Sequence, residues 1–240
     1  MRASQLRLKL LFTACIQKGM SEVFISKPVM WAPGLEEDPE KWEKWLKGGE
    51  FIEKSKAAPK LEYTDPMFRR RLSQVSKMTV HVVHELLEKE KFDKDTKILF
   101  VSLRGEIARE FSINQGIIEE KTILPAGFSL SVFNTPVALA TIALGLTGGY
   151  SAVYPSKSDF SSALKNAFAP VLCGDEEKIV LVYADELVPE CYGVDSIPLA
   201  FAAVLSAEKT ETSVKIDDFE SIKSPDDFLK RLLEAGRSDV

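Results

Sequence analysis

Apolar and polar positions alternate between two rhythms along this chain. Ile98, Leu99, Phe100 and Val101 form one unbroken apolar run, and Ile179, Val180, Leu181, Val182 and Tyr183 form another. Short runs of this kind suit strands buried on both faces. Residues 150–154 and 198–205 read as further strands. Near the start, Leu6, Leu8, Leu10 and Phe12 alternate with Arg7 and Lys9 as another strand, running on to Ile16, and residues 23–25 read as a short strand or loop. Between these runs the spacing becomes helical. Asp38 is placed to cap, and Pro39 to open, a short helix that ends at Gly48-Gly49 and carries Trp42 and Trp45 on one face. Asp65 and Pro66 open a long helix with Phe68, Leu72, Val75, Thr79, Val82, Val83 and Leu86 at helical spacing. Residues 106–119 are amphipathic, and helices are predicted over 159–172 and 225–235. Strands alternating with helices predict an α/β fold with a mostly parallel sheet covered by helices and right-handed crossovers.

The stretch from 129 to 145 organises the rest. Residues 129–133 alternate as a short strand, Asn134 or Thr135 can cap a helix, and Pro136 suits its first turn. Val137, Ala138, Leu139, Ala140, Ile142, Ala143 and Leu144 then make that helix apolar nearly all round, the mark of a buried helix. A strand feeding a buried helix through a tight elbow is where several α/β enzymes hold a nucleophile. The helix N-terminus there lowers a thiol pKa and stabilises developing negative charge. The elbow residue here is Asn134. A carboxamide has no thiolate or alkoxide form and cannot carry an acyl group, so its local chemistry is that of an N-cap.

Other candidate residues are weighed on their surroundings. Trp42 and Trp45 either pack the α-helical excursion onto the domain or present a partner surface, as exposed tryptophans do. Arg69, Arg70 and Arg71 fall in the first turn of the long helix, where the dipole disfavours cations, which points to nearby carboxylates or carbonyls or to an anionic partner. His81 and His84 are the only histidines, and no third ligand accompanies them, so they read as packing or surface residues. Asp185 and Glu186 follow a buried strand. They are either an acid–base pair or, the favoured reading, structural acceptors for a turn or for the arginines. No GxGxxG, GxxxxGK[ST], GxSxG or HExxH motif occurs.

Composition narrows the classes. The 240 residues suffice for one large domain or two small ones, and 45% hydrophobic with 28% charged residues is globular. A net charge of -5 gives no reason to expect nucleic acid or an anionic membrane. Three cysteines without CxxC spacing suggest a reduced compartment, with neither a disulfide framework nor a zinc cluster. No signal peptide is evident and no apolar run reaches the ~18 residues of a membrane span, so a cytoplasmic protein is the default expectation.

Four stretches in order carry a family resemblance: Trp31-Ala32-Pro33-Gly34; Arg69-Arg70-Arg71-Leu72-Ser73 with Met78; Phe128-Ser129-Leu130-Ser131-Val132-Phe133-Asn134; and Leu181-Val182-Tyr183-Ala184-Asp185-Glu186. Together they resemble the N-terminal half of a β-ketoacyl synthase, of thiolase-like fold. They resemble more closely the short ketosynthase-like proteins of aryl-polyene and related type II polyketide or fatty acid systems. The resemblance covers about residues 6–205 and implies a ketosynthase-like domain over 1–206, with a C-terminal extension and terminal helix over 207–240.

In an active member of that family the elbow position is the acyl-accepting cysteine, and two catalytic histidines come from the second half. Asn134 aligns with the cysteine, and the only histidines lie upstream on a helix. The resemblance therefore implies a catalytically inactive, chain-length-factor type of subunit, in a heterodimer with an active β-ketoacyl synthase whose acyl tunnel it shapes. Phe128, Ser129, Leu130, Ser131, Val132, Phe133 and Asn134 would form the tunnel and interface, with 129–133 as the interface strand and Phe128 and Phe133 directed at the tunnel or packed as ordinary core. Arg69, Arg70 and Arg71 would contact acyl carrier protein. No cofactor, metal or membrane span is implied. Two alternatives stay open. One is a self-associating module that binds acyl carrier protein; the other is an enzyme of unfamiliar chemistry using Asp185, Glu186 or Cys173.

Overall fold

A computed structural model of the chain describes residues 22–122, 125–156, 159–216 and 218–238. The strand expected over residues 6–16 lies outside the described residues. Six strands form one sheet. β1 (Phe24–Ile25) and β2 (Val29–Trp31) both lie antiparallel along one edge of β6 (Leu199–Ser206). The other edge of β6 pairs antiparallel with β5 (Lys178–Asp185) over its whole length, with Lys178 opposite Ser206 and Asp185 opposite Leu199. β5 then pairs parallel with β3 (Lys97–Val101), and β3 pairs parallel with β4 (Tyr150–Val153), which is the outermost strand.

The α/β class stands, with a mixed sheet in place of the mostly parallel one expected. Only β4, β3 and β5 run together. The link from β5 to β6 holds a three-residue 3-10 turn, Glu190–Tyr192, and no helix to carry a crossover. β6 therefore returns antiparallel.

Eight α-helices are described: α1 (Pro39–Leu46), α2 (Pro66–Arg69), α3 (Gln74–Glu90), α4 (Ile107–Gln115), α5 (Pro125–Phe128), α6 (Thr135–Leu144), α7 (Phe160–Leu172) and α8 (Pro225–Ser238). α3 and α6 cover one face of the sheet, where Val75, Met78, Val82 and Val137 meet Phe100, Val180, Val182 and Ala202. α7, α8 and α1 cover the other, where Phe160, Leu164, Leu229 and Trp42 meet Leu181, Tyr183, Phe201 and Leu205. With both faces buried, β5 and β6 have to be apolar throughout, which is why their sequence does not alternate. The segment after residue 206 enters the same core: the Phe228 ring lies 5.7 Å from those of Phe160 and Phe201. Burying one such ring stabilises by roughly 1.5–3 kcal/mol.

Trp42 and Trp45 are buried, stacked edge to face at 5.4 Å, and the ammonium of Lys230 lies 5.0 Å over the Trp45 ring. They pack α1 beneath α8 and, being buried, present no partner surface. The cap of α1 is as expected: Asp38 Oδ1 accepts the Glu40 N–H at 2.9 Å.

Two expectations fail locally. The long helix from Asp65 is broken into α2 and α3. Ser73 caps the second piece by accepting the Ser76 N–H at 3.1 Å, and its own hydroxyl donates to Glu106 at 2.7 Å. The predicted strand over 129–133 is absent. Ser129 N–H bonds Pro125 O at 3.0 Å, Leu130 N–H bonds Gly127 O at 3.2 Å, and Ser131 N–H bonds Phe128 O at 3.1 Å. The two serine hydroxyls bond back to Ala126 O and Phe128 O. Local turns use the groups that a strand would give to a neighbour.

Candidate functional site

The elbow is built from α5, a turn and the start of α6. Phe133 enters a space that only glycine leaves open. Gly105 has φ +58, and a Cβ there would lie 2.8 Å from Phe133 Cδ2. On its other side the Phe133 ring lies 6.4 Å from the Phe100 ring of β3. Phe133 thus packs against its own chain, whereas Phe128 is 60% exposed. Asn134 occupies the N-cap position of α6, but its side chain makes no capping hydrogen bond. Its Nδ2 donates instead to the Tyr150 hydroxyl at 2.9 Å, linking α6 to β4. Position 134 thus carries a carboxamide, which has no thiolate form, in a hydrogen bond to a phenol.

α6 is only half buried, contrary to its all-apolar sequence. Val137 and Ala140 face the core, while Ile142 is 72% exposed. Val132 and Tyr154 are likewise exposed, at 53% and 52%. The outer edge of β4, which the Asn134–Tyr150 hydrogen bond joins to the start of α6, is unpaired among the described residues.

The buried polar chemistry lies at the ends of β3 and β5. Asp185 Oδ1 accepts the Ser102 hydroxyl at 2.6 Å and the Arg104 N–H at 3.0 Å; Oδ2 accepts the Tyr183 hydroxyl at 2.6 Å and the Leu103 N–H at 3.0 Å. Burial pushes the Asp185 carboxyl up, and the hydrogen bonds from Ser102 and Tyr183 pull it back. Glu186 Oε1 accepts the Ala108 N–H of α4 at 2.9 Å, and Oε2 accepts the Val75 N–H of α3 at 3.4 Å. Burial raises Glu186 to about 7, against the Ala108 hydrogen bond and helped by the Glu106 carboxylate. Glu106 takes the hydroxyls of Ser73 and Ser76 and, at 2.9 Å, Arg109 Nε. Each carboxylate is engaged by donors of the chain itself, so the trio fastens the first turns of α3 and α4 to the sheet. That is the structural role favoured for Asp185 and Glu186. A cavity of about 200 Å³ borders Tyr183, Asp185 and Arg104. Glu106, Ser102 and Tyr150 carry no sequence motif, and their partners Ser73, Asp185 and Asn134 lie 33, 83 and 16 positions away.

Arg69, Arg70 and Arg71 lie at the α2–α3 break, not in the first turn of a long helix, which removes the dipole conflict. Arg69 Nη1 donates to Leu61 O at 3.4 Å, Arg70 and Arg71 are exposed, and Arg71 O accepts Arg109 Nη2 at 2.8 Å. His81 is buried with Nε2 2.9 Å from Glu37 Oε1, outside hydrogen-bond geometry, and His84 stacks on Tyr63 at 3.6 Å. Burial lowers the His81 pKa and Glu37 opposes that shift. No cluster of three or more His, Cys, Asp or Glu placed to hold a metal occurs among the described residues. Cys173 is disulfide-bonded, which removes it as a thiolate and departs from the expectation of reduced cysteines at that one position; Cys191 is an exposed free thiol. No helix of the described residues is long and apolar enough to cross a membrane.

No curated protein matches this chain. Among solved structures, it is similar to a chain of the complex of a ketosynthase (ApeO) with its chain length factor (ApeC) from Xenorhabdus doucetiae, at 26% identity and a TM-score of 0.66 over 77% of this chain and 79% of that one. The ishigamide ketosynthase/chain length factor aligns at 12% identity and a TM-score of 0.59, over 77% of this chain and 62% of that one. The type II polyketide acyl-carrier protein–ketosynthase complex AntDE:AntF aligns at 14% and 0.55, over 78% and 64%. These last two share the fold alone, and the chain spans somewhat under two thirds of their length. The fold is the thiolase-like one of ketosynthases. Residues 42–230 match the model of the β-ketoacyl synthase N-terminal domain, and the chain belongs to that family.

Proposed function

We propose that this chain is the non-condensing, chain-length-factor-type subunit of a heterodimer with an active β-ketoacyl synthase, in aryl-polyene or related polyketide or fatty acid synthesis. The observation that carries the proposal is Asn134. It stands at the elbow position where an active synthase holds cysteine, and one of its amide N–H groups bonds Tyr150. Without a thiol there is no acyl-enzyme, and with no histidine at the elbow there is no malonyl decarboxylation.

Exposed apolar side chains support the need for a partner. Phe128, Val132, Ile142 and Tyr154 are exposed on or next to α5, α6 and β4, whose outer edge is open among the described residues. Large exposed apolar side chains and a bare sheet edge are costly to leave in water. Since residues 129–133 form turns, the contact elements in this reading are α6 and β4, with Ser129, Leu130 and Ser131 at the rim. Exposed Arg70 and Arg71, beside Arg69, are the cationic surface offered to acyl carrier protein, which is acidic. The 26% identity to a chain of a ketosynthase–chain length factor complex favours the same assembly here.

Co-expression with ketosynthase subunits of the same source, followed by native mass spectrometry, tests the reading. A one-to-one heterodimer, with this chain insoluble when made alone, is the expected result. A soluble homodimer indifferent to every synthase overturns it in favour of a self-associating carrier-protein-binding module.

A further inference from the structure

Asn134 and Tyr150 form a hydrogen-bonded polar pair beside the exposed apolar side chains of α6 and β4. Val132, Ile142 and Tyr154 offer mostly hydrocarbon to solvent. Asn134 and Tyr150 instead bond each other at 2.9 Å, across two elements, the start of α6 and the start of β4. A carboxamide brings two N–H donors and a phenol one O–H. Their mutual bond uses one of the three, whichever way the amide is turned. Two donors are left without an acceptor among the described residues. Water serves them while the surface is open, since Tyr150 is itself exposed.

A subunit that covers this surface removes that water. Two donors sealed into an apolar contact without acceptors would weaken the contact, because a buried unsatisfied group loses its full hydration. Resting on the heterodimer reading above, we propose that Asn134 and Tyr150 are the specificity-determining polar element of this surface. The covering β-ketoacyl synthase subunit presents acceptor oxygens, a backbone carbonyl or a carboxylate, to their two spare donors. A smooth apolar surface tolerates several docking positions, and a polar pair that is satisfied in only one of them selects that register. Asn134 in this role holds the Tyr150 hydroxyl in place, so the residue at the nucleophile position has a use that needs no nucleophile.

The occupant follows from three observations. The open β4 edge is tied to the start of α6 by the Asn134–Tyr150 hydrogen bond. The chain belongs to the β-ketoacyl synthase family. It covers 77% of itself and 79% of its match in a ketosynthase–chain length factor complex, so the two chains are of nearly equal length.

A competition experiment tests the proposal. Two differently tagged copies of this chain, wild type and variant, are co-expressed with one ketosynthase subunit, and the captured complexes are quantified by mass spectrometry. Ile142→Asp is expected to be excluded altogether. Tyr150→Phe and Asn134→Ala are each expected to compete about tenfold less well than wild type, the loss of one charge-free hydrogen bond in a covered site. The double variant is expected to do no worse than the weaker single one, because the pair acts as a unit. Equal or better competition by Tyr150→Phe, with Ile142→Asp still excluded, overturns the proposal and leaves the heterodimer intact. Equal competition by Ile142→Asp overturns the location of the surface and the proposal together. If wild type captures no ketosynthase, the heterodimer reading itself fails and takes this inference with it.

Discussion

Glu186 accepts the backbone N–H of Ala108 at 2.9 Å and so ties the end of β5 to the first turn of α4. The second oxygen reaches Val75 in the first turn of α3. One buried carboxylate therefore holds two helix starts, where partial positive charge favours it. Burial opposes this strongly enough to raise its pKa from 4.5 to about 7.

That shift predicts a pH dependence of stability. Between about pH 4.5 and 7 the folded chain keeps a proton on Glu186 that the unfolded chain releases. The associated stability is fully present below 4.5 and is lost as pH rises through about 7. Its upper bound is between about 3 and 4 kcal/mol, at about 1.36 kcal/mol per unit. Urea unfolding at pH 5 and pH 8 should show wild type losing stability at the higher pH, and Glu186→Gln losing clearly less. Identical losses in both proteins would refute the assignment.

Gly105 and Phe133 predict a coupled pair. Gly105→Ala places a methyl 2.8 Å from Phe133 Cδ2 on a backbone with φ +58. The expected loss is about 1–3 kcal/mol, part steric and part backbone strain. Phe133→Ala relieves only the steric part, so the double variant should be more stable than the sum of the singles by at least about 0.5 kcal/mol. Strict additivity in thermal unfolding would mean that the ring does not fill this space.

Asn134→Cys predicts a negative result with a reason. A thiol at the start of α6 gains the helix field but finds no histidine at the elbow to receive a proton or drive decarboxylation. The variant alone should release no CO2 from malonyl thioesters and form no condensation product by mass spectrometry. Condensation by the isolated variant would show that the chain carries a complete catalytic site, against the non-condensing reading.

Elements governed by local chemistry were legible in the chain. Asp38-Pro39 marked the start of α1, Asp159 caps α7 by accepting the Ser161 N–H at 3.1 Å, and the unbroken apolar runs became β3 and β5. The elbow helix α6 was legible too, although the strand before it was not. Ser129 and Ser131 bond to carbonyls three residues back, and a two-residue period cannot report that competition. The break before α3 was hidden for a different reason. Ser73 is stabilised there by Glu106, 33 positions away.

By itself the sequence determined which segments are buried on both sides of the sheet, that position 134 carries a carboxamide and not a thiol, and which family pattern the chain follows. Those properties reside in the residue types and their immediate neighbours. Tertiary structure alone decided that β6 runs antiparallel, that α6 turns Ile142 to solvent, that Asp185 closes on Ser102 from 83 positions away, and that Asn134 bonds Tyr150. The physical reason is that a hydrogen bond is satisfied, and a face covered, by whatever the folded chain brings near, and separation along the sequence carries no record of it.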